Sequence, residues 1–63
     1  MSINHEMMRL ALLDAKQFIE GGDYVSALES LIDAGCWAFK SNNVTAQGHI
    51  NRLINSLKHL LTA

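Results

Sequence analysis

The sequence contains no proline, only one cysteine, and no acidic residue after Asp33. Without proline, no position in the chain is barred from an α-helix. Because Cys36 is the only cysteine, no disulfide can form within the chain. One unpaired cysteine is typical of a reducing compartment, and the first residues lack the basic and continuously apolar regions of a signal peptide. We therefore expect a cytoplasmic protein.

Most kinds of chemical site are also missing from the sequence. Cys36, His5, His49 and His59 share no metal-ligand spacing. There is no phosphate-binding loop, no serine–histidine–aspartate set and no pair of carboxylates spaced for acid–base work. No apolar run approaches the roughly 18–20 residues of a membrane helix. We predict a protein that is not an enzyme, has no catalytic residue, binds neither metal nor cofactor, and does not enter a membrane.

Two short breaker segments divide the 63 residues into three stretches of similar length. Gly21-Gly22 is the first breaker and Ser41-Asn42-Asn43 is the second. No stretch alternates β-branched and polar residues as a strand does. The pattern predicts a single all-α domain, residues 1–63, with helices over about 2–20, 23–40 and 44–62.

The third stretch has the clearest helical pattern. Its apolar residues recur at spacings of four and three, as in a helix that packs along another helix. They are Ala46, Ile50, Leu53, Leu57 and Leu60. The opposite face carries amides and positive charge with no acid, and its candidate ligand-binding residues are Arg52, Asn55, Lys58 and His59.

The first two stretches have apolar arcs of about 200°, which is wider than the ≳100° stripe of one packing face. Gly21-Gly22 can end the first helix, and Asp23 can cap the second. Such a short turn predicts an antiparallel helical hairpin, with the third amphipathic helix laid over it or over a partner. A chain of this size buries only about 60% of its unfolded surface. The excess apolar surface therefore predicts a homodimer or an obligate protein partner.

Candidate interface residues come from the apolar arcs and from Trp37, which lies among Ser26, Ser30 and Asp33 on the polar side of the second helix. Tryptophan is enriched in partner contacts, although burial of Trp37 under the third helix is an equal alternative. The predicted protein interface comprises Met7, Met8, Leu12, Trp37, Phe39, Ile50, Leu53, Leu57 and Leu60.

Charge is divided unevenly along the chain. Residues 1–33 carry six acidic and two basic residues, a formal charge of −4, whereas residues 34–63 carry three basic residues and no acid. One interpretation is that the two halves face each other, within one subunit or across a dimer. The alternative is a small DNA- or RNA-binding regulator that uses the acid-free face of residues 44–62. Three positive charges are few for that role, because such affinity comes from many phosphate contacts.

Residues 15–31, AKQFIEGGDYVSALESL, resemble the interior of a tetratricopeptide repeat. The shared features are the Gly-Asp-Tyr turn and the Ala-Leu pair that follows it. This resemblance implies peptide or protein binding. Since the chain holds one copy, and solenoids need several, we interpret it as a shared helical-hairpin design.

Over its whole length the chain resembles the small early-region proteins of lambda-like temperate phages, which are encoded between the exonuclease and excisionase genes. The Met-Ser-Ile-Asn opening, the length and the helical pattern without a catalytic motif carry this resemblance. It implies a non-enzymatic accessory protein in the host-cell cytoplasm. Such a protein would favour lytic development by binding an unidentified host or phage protein.

Overall fold

A computed structural model describes residues 3–62 of the chain. Over these residues it contains three α-helices and no strand. They are α1 (Ile3–Glu20), α2 (Tyr24–Lys40) and α3 (Val44–Thr62). The all-α prediction is confirmed. Helices α2 and α3 begin within one residue of the predicted positions, while Ser2, where the first helix was predicted to begin, lies outside the described residues.

The turn between α1 and α2 depends on a glycine in the left-handed region. Gly22 has a φ of 80°, which an L-residue with a side chain adopts at a cost. The amide of Asp23 donates to the carbonyl of Phe18 over 2.9 Å, so the last turn of α1 is closed. The side chain of Asp23 then accepts from the amide of Ser26 at 3.2 Å. Asp23 is therefore the N-cap of α2, as its type predicts.

The turn between α2 and α3 repeats this design with different residues. Asn42 takes the left-handed position, with a φ of 57°, and the amide of Asn43 donates to the carbonyl of Ala38 over 3.0 Å. The Asn43 side chain accepts from the amide of Ala46 at 3.1 Å. Asparagine tolerates the left-handed region better than most residues, and it also caps helices well. Ser-Asn-Asn thus ends one helix and begins the next within three residues.

The core lies along one side of α2, which is the central helix. Its buried residues from α2 are mostly alanines, and small side chains let neighbouring helices approach closely. The buried core consists of Met8, Ala15, Ala27, Leu31, Ala34, Ala38, Ile50 and Leu57. Ala27, Ala34 and Ala38 are each fully buried, so this small-residue edge of α2 is a packing edge.

Helix α2 has close backbone contacts with both other helices, whereas the backbones of α1 and α3 are farther apart. No Cα atom of α1 lies within 8 Å of a Cα atom of α3. The Cα trace measures 37 × 19 × 12 Å along its principal axes. Helix α3 therefore lies along α2 at a distance from α1, rather than over the middle of the α1–α2 pair.

Candidate interaction surfaces

Three of the predicted interface residues lie inside the subunit itself. Met8 and Leu57 are 5% exposed and Ile50 is fully buried, and all three belong to the core cluster on α2. Their apolar character is explained by packing within one chain. Any interface with another molecule must therefore be formed by the other predicted residues or by residues not singled out from the sequence.

Four predicted residues are half-buried: Met7, Leu12, Trp37 and Leu53. Leu12, Trp37 and Leu53 pack against the core cluster. The ammonium nitrogen of Lys40 lies 4.5 Å from the centroid of the Trp37 ring, a geometry that supports a cation–π interaction. Packing inside the chain and a contact with Lys40 thus account for a tryptophan on the polar side of α2.

The remaining two predicted residues, Phe39 and Leu60, are exposed, and Phe39 belongs to a larger apolar surface. Val25, Ile32 and Phe39 follow one another at seven-residue intervals on α2 and are 57%, 48% and 74% exposed. We call these three residues the α2 stripe. Seven residues are close to two helical turns, so they lie on one side of the helix. A shallow apolar groove between α2 and α3 runs beside the stripe, and Cys36, Gln47, Asn51 and Ile54 line it.

Val25 and Ile32 were not among the predicted interface residues, although both lie within the apolar arc of the second helix. The signal that could have identified them is the seven-residue interval that separates Val25 from Ile32 and Ile32 from Phe39. An arc of 200° contains both the residues that face neighbouring helices and those that do not. Nothing in the periodicity distinguishes the two groups, because both are apolar.

A second groove lies between α1 and α3, above the central helix. Its floor is Leu31, which is 1% exposed, and its walls come from α1 on one side and Leu53 of α3 on the other. The residues of α1 that line it are Leu12, Ala15, Lys16, Ile19 and Glu20. This groove exists because α1 and α3 each pack on α2 without meeting.

The acid-free face of α3 is exposed. Arg52, Asn55, Lys58 and His59 all lie on the surface, and a shallow depression is lined by Asn55, Ser56, His59 and Leu60. Gly48 is also exposed on this helix, and a Cβ added there would meet no atom within 4 Å. The face therefore offers amides and two cationic side chains to a ligand, with no neighbouring helix over them.

In the part of the chain that the structure describes, no salt bridge joins Arg52, Lys58 or Lys40 to an acidic residue of the first half. Arg9 donates to Glu6 over 2.7 Å, but both residues belong to α1. This hydrogen bond to the Glu6 carboxylate raises the pKa of Arg9 above its ordinary value. Within residues 3–62, Arg52 and Lys58 form no salt bridge with an acid of α1 or α2. Asp14 is likewise exposed rather than paired with Lys40 or Arg52.

No metal-binding group can be assembled from the described part of the chain. Residues 3–62 contain no cluster of three or more histidine, cysteine, aspartate or glutamate side chains that could hold an ion. Cys36 is exposed, with no disulfide partner in the sequence. Over the same residues, no helix combines the length and apolarity needed to cross a membrane.

Comparison with known proteins adds no relative. No protein-family model, curated protein or solved structure matches the chain. The resemblance to lambda-like phage early proteins therefore stays a prediction, as does the resemblance to a tetratricopeptide repeat.

Proposed function

We propose that this chain is a small, non-enzymatic interaction protein that forms a homodimer through the α2 stripe and binds another protein with a separate surface. The observation that carries the proposal is the α2 stripe itself. Val25, Ile32 and Phe39 are three exposed apolar residues on one side of the central helix of a very small domain. Contiguous exposed apolar surface is characteristic of protein–protein contact sites.

The spacing of the stripe favours pairing with a second copy. We infer that α1 and α2 form an antiparallel hairpin, because one three-residue turn joins them and leaves no room for a crossover. If two copies of α2 pair antiparallel about Ile32, Val25 of one copy lies opposite Phe39 of the other. A two-fold axis requires such self-complementarity. Cys36 is exposed and lies between Ile32 and Phe39 in sequence, and its small side chain lets a second helix come close there.

Charge supports the same pairing. Asp23 precedes α2, and Lys40 ends it. In an antiparallel pair, Lys40 of each copy lies beside Asp23 of the other, and the two helix dipoles oppose each other favourably. Such surface contacts contribute at most about 1 kcal/mol each, so they set the direction of pairing rather than its strength.

The test is a comparison of two substitutions in sedimentation velocity over a range of concentrations. Ile32→Ser removes the apolar side chain at the centre of the stripe from both copies. Because burial of one such side chain contributes about 1.5–3 kcal/mol, we expect the dissociation constant of the dimer to rise at least tenfold. Leu13→Ser is the matched control, because Leu13 is 47% exposed, compared with 48% for Ile32, but belongs to α1. It should leave the dissociation constant unchanged.

Two results would contradict the dimer. One is a folded wild-type monomer that persists to high micromolar concentration, and the other is equal weakening by Ile32→Ser and Leu13→Ser. A closed assembly larger than two would contradict the two-fold pairing. The α2 stripe would still be the contact in such an assembly only if Ile32→Ser dissociated the assembly and Leu13→Ser did not.

The resemblance stated above supplies a biological setting for this proposal. A small interaction protein with no catalytic machinery suits an accessory role in phage-infected cells, where binding of a host or phage protein would bias infection towards lytic development. Production of the protein during infection of a bacterial host, with scoring of lysis against lysogeny, tests that role. An unchanged ratio would remove it and leave the interaction surfaces untouched.

A second candidate function is nucleic-acid binding by the outer face of α3. The observation that favours it is that Arg52 and Lys58 are exposed and, among the described residues, form no ion pair with an acidic side chain. Two phosphate contacts predict a slope of about −1.8 for the logarithm of affinity against the logarithm of salt concentration on duplex DNA. The double variant Arg52→Ala/Lys58→Ala should abolish the slope. Absence of binding by the wild type at low salt would end this candidate.

A further inference from the structure

The spacing of the backbones shows how the three helices are arranged. Helices that pack directly on each other have axes about 8–10 Å apart, and their Cα atoms lie about 2.3 Å from the axis. Two such helices bring some of their Cα atoms within about 6 Å of each other. In a closed three-helix bundle, α1 and α3 would be in this position. Instead, a groove separates them, with Leu31 of α2 beneath it.

The contacts between helices agree with this arrangement. Helix α2 contacts both neighbours, while no Cα atoms of α1 and α3 lie within 8 Å of each other. Helices on opposite corners of a square are separated by its diagonal, about 13–14 Å for ordinary packing distances. The molecule therefore has the cross-section of a four-helix bundle from which one helix is absent. The groove between α1 and α3 is the open corner.

The lining of the open corner is that of a helix-packing site. Leu31 forms its floor, with Leu12 and Ile19 on the wall from α1 and Leu53 on the wall from α3. In a complete four-helix bundle, residues in these positions meet the apolar seam of the fourth helix. In this subunit Ile19 stays 38% exposed and Leu53 half-buried. A single helix with an apolar seam would cover both walls at once.

Two charged residues on the α1 wall indicate the direction and chemistry of that helix. Glu20 is the last residue of α1, and no basic residue lies in the last turn of that helix. A carboxylate is unfavourable at a helix C-terminus, but it is favourable beside the N-terminus of another helix. A fourth helix antiparallel to α1 begins at that end. One turn further along, Lys16 would face its side chains, where an acidic residue fits.

We propose that the open corner binds one amphipathic α-helix of a partner protein, antiparallel to α1 and α3, with its N-terminus beside Glu20 and an acidic residue in its second turn, opposite Lys16. The proposal deepens the proposed function, because it gives the chemistry of the partner that such an interaction protein would bind. It uses a surface separate from the α2 stripe. Self-association and partner binding can therefore be tested independently.

The experiment uses two synthetic 18-residue peptides, matched in length to α1. Both are acetylated and amidated, with leucine and alanine at the i, i+3, i+4 and i+7 positions of one face. The acidic probe carries glutamates on the flanks of its second turn, and the basic probe carries lysines there. Binding to the full chain is measured by calorimetry. Methyl NMR shifts then locate the site, with Leu12, Ile19 and Leu53 as reporters of the corner and Val25 and Ile32 as reporters of the stripe.

We expect the acidic probe to bind more tightly than the basic probe and to shift the three corner reporters first. Lys16→Glu should lower the affinity for the acidic probe and raise the affinity for the basic probe, each by about two- to fivefold, as for an exposed charge pair. Ile19→Ser should weaken both by about tenfold, because it removes an apolar wall residue. Val25→Ser is the control and should change neither affinity by more than about twofold. Far-UV circular dichroism confirms that each variant remains helical.

Four results would overturn the proposal. The first is no binding of either probe at millimolar concentration, and the second is shift changes confined to Val25 and Ile32. The third is an unchanged ratio of the two affinities in Lys16→Glu. The fourth is loss of self-association in Ile19→Ser, which would show that a second copy fills the corner. A wild-type protein that is monomeric would refute the dimer but not this site, since each probe binds a single subunit.

Discussion

Replacement of Gly48 by alanine should make the protein more stable. Gly48 is exposed in the interior of α3, and a Cβ added there would meet no atom within 4 Å. A glycine inside a helix costs about 1 kcal/mol relative to alanine, and alanine also reduces the conformational freedom of the unfolded chain. We expect the free energy of unfolding to rise by about 0.5–1 kcal/mol. For a domain of this size the melting temperature should rise by about 2–8 °C.

The matched control is Gly22→Ala, which places the same methyl group at a position of opposite character. A Cβ at Gly22 also meets no atom within 4 Å, but the backbone φ there is 80°. An L-residue held in that region costs about 1–2 kcal/mol, so this variant should lose stability. Urea denaturation followed by far-UV circular dichroism, with one m-value fitted to all variants, gives both differences directly.

A loss of stability in Gly48→Ala would contradict this prediction, because a Cβ at Gly48 has no atom within 4 Å to clash with in one subunit. A loss that grew with protein concentration would show that the outer face of α3 packs closely against a second copy. In that case the face could not be open to nucleic acid, and the second candidate function would fall with it.

Two further substitutions test the second turn and the core. Asn43→Ala removes the side-chain acceptor for the Ala46 amide and should lower the free energy of unfolding, measured by urea denaturation, by about 1 kcal/mol. An unchanged urea midpoint would show that this cap does not stabilise the fold. Ala34→Leu adds three carbons to a fully buried position and should cost about 1–3 kcal/mol by overpacking. A melting temperature of Ala34→Leu equal to that of the wild type would mean that α2 can move away from its neighbours at little cost in free energy.

The helices could be predicted from the sequence because their signals are local. Apolar spacing defines each helix, and the residues at the breaks are the ones whose backbone preferences suit a turn. Gly22 and Asp23 were recognisable because glycine followed by aspartate is a strong end-and-start signal. The second turn was recognised as a break, but the cap formed by Asn43 was not, since Asn42 and Asn43 are the same residue type in different roles.

The surfaces were harder to predict, because a helical wheel gives angles within one helix and no information about where neighbouring helices lie. Met8, Ile50 and Leu57 were predicted to meet a partner and lie in the core of their own subunit. Val25 and Ile32 lay in the same kind of arc and are exposed. Which residues are covered depends on the angle between the α1–α2 and α2–α3 contacts, and that angle is set by packing of all three helices.

The separation of the α1 and α3 backbones has a consequence for how this molecule folds and opens. Close backbone contacts join each helix only to its neighbour in sequence, so no long loop must close before these contacts form, and such chains fold quickly. The two helix–helix contacts act in series, as in a repeat array. Either end can therefore detach while the other stays packed. In hydrogen exchange we expect α2 to be protected longest, and α1 and α3 to open as two separate units.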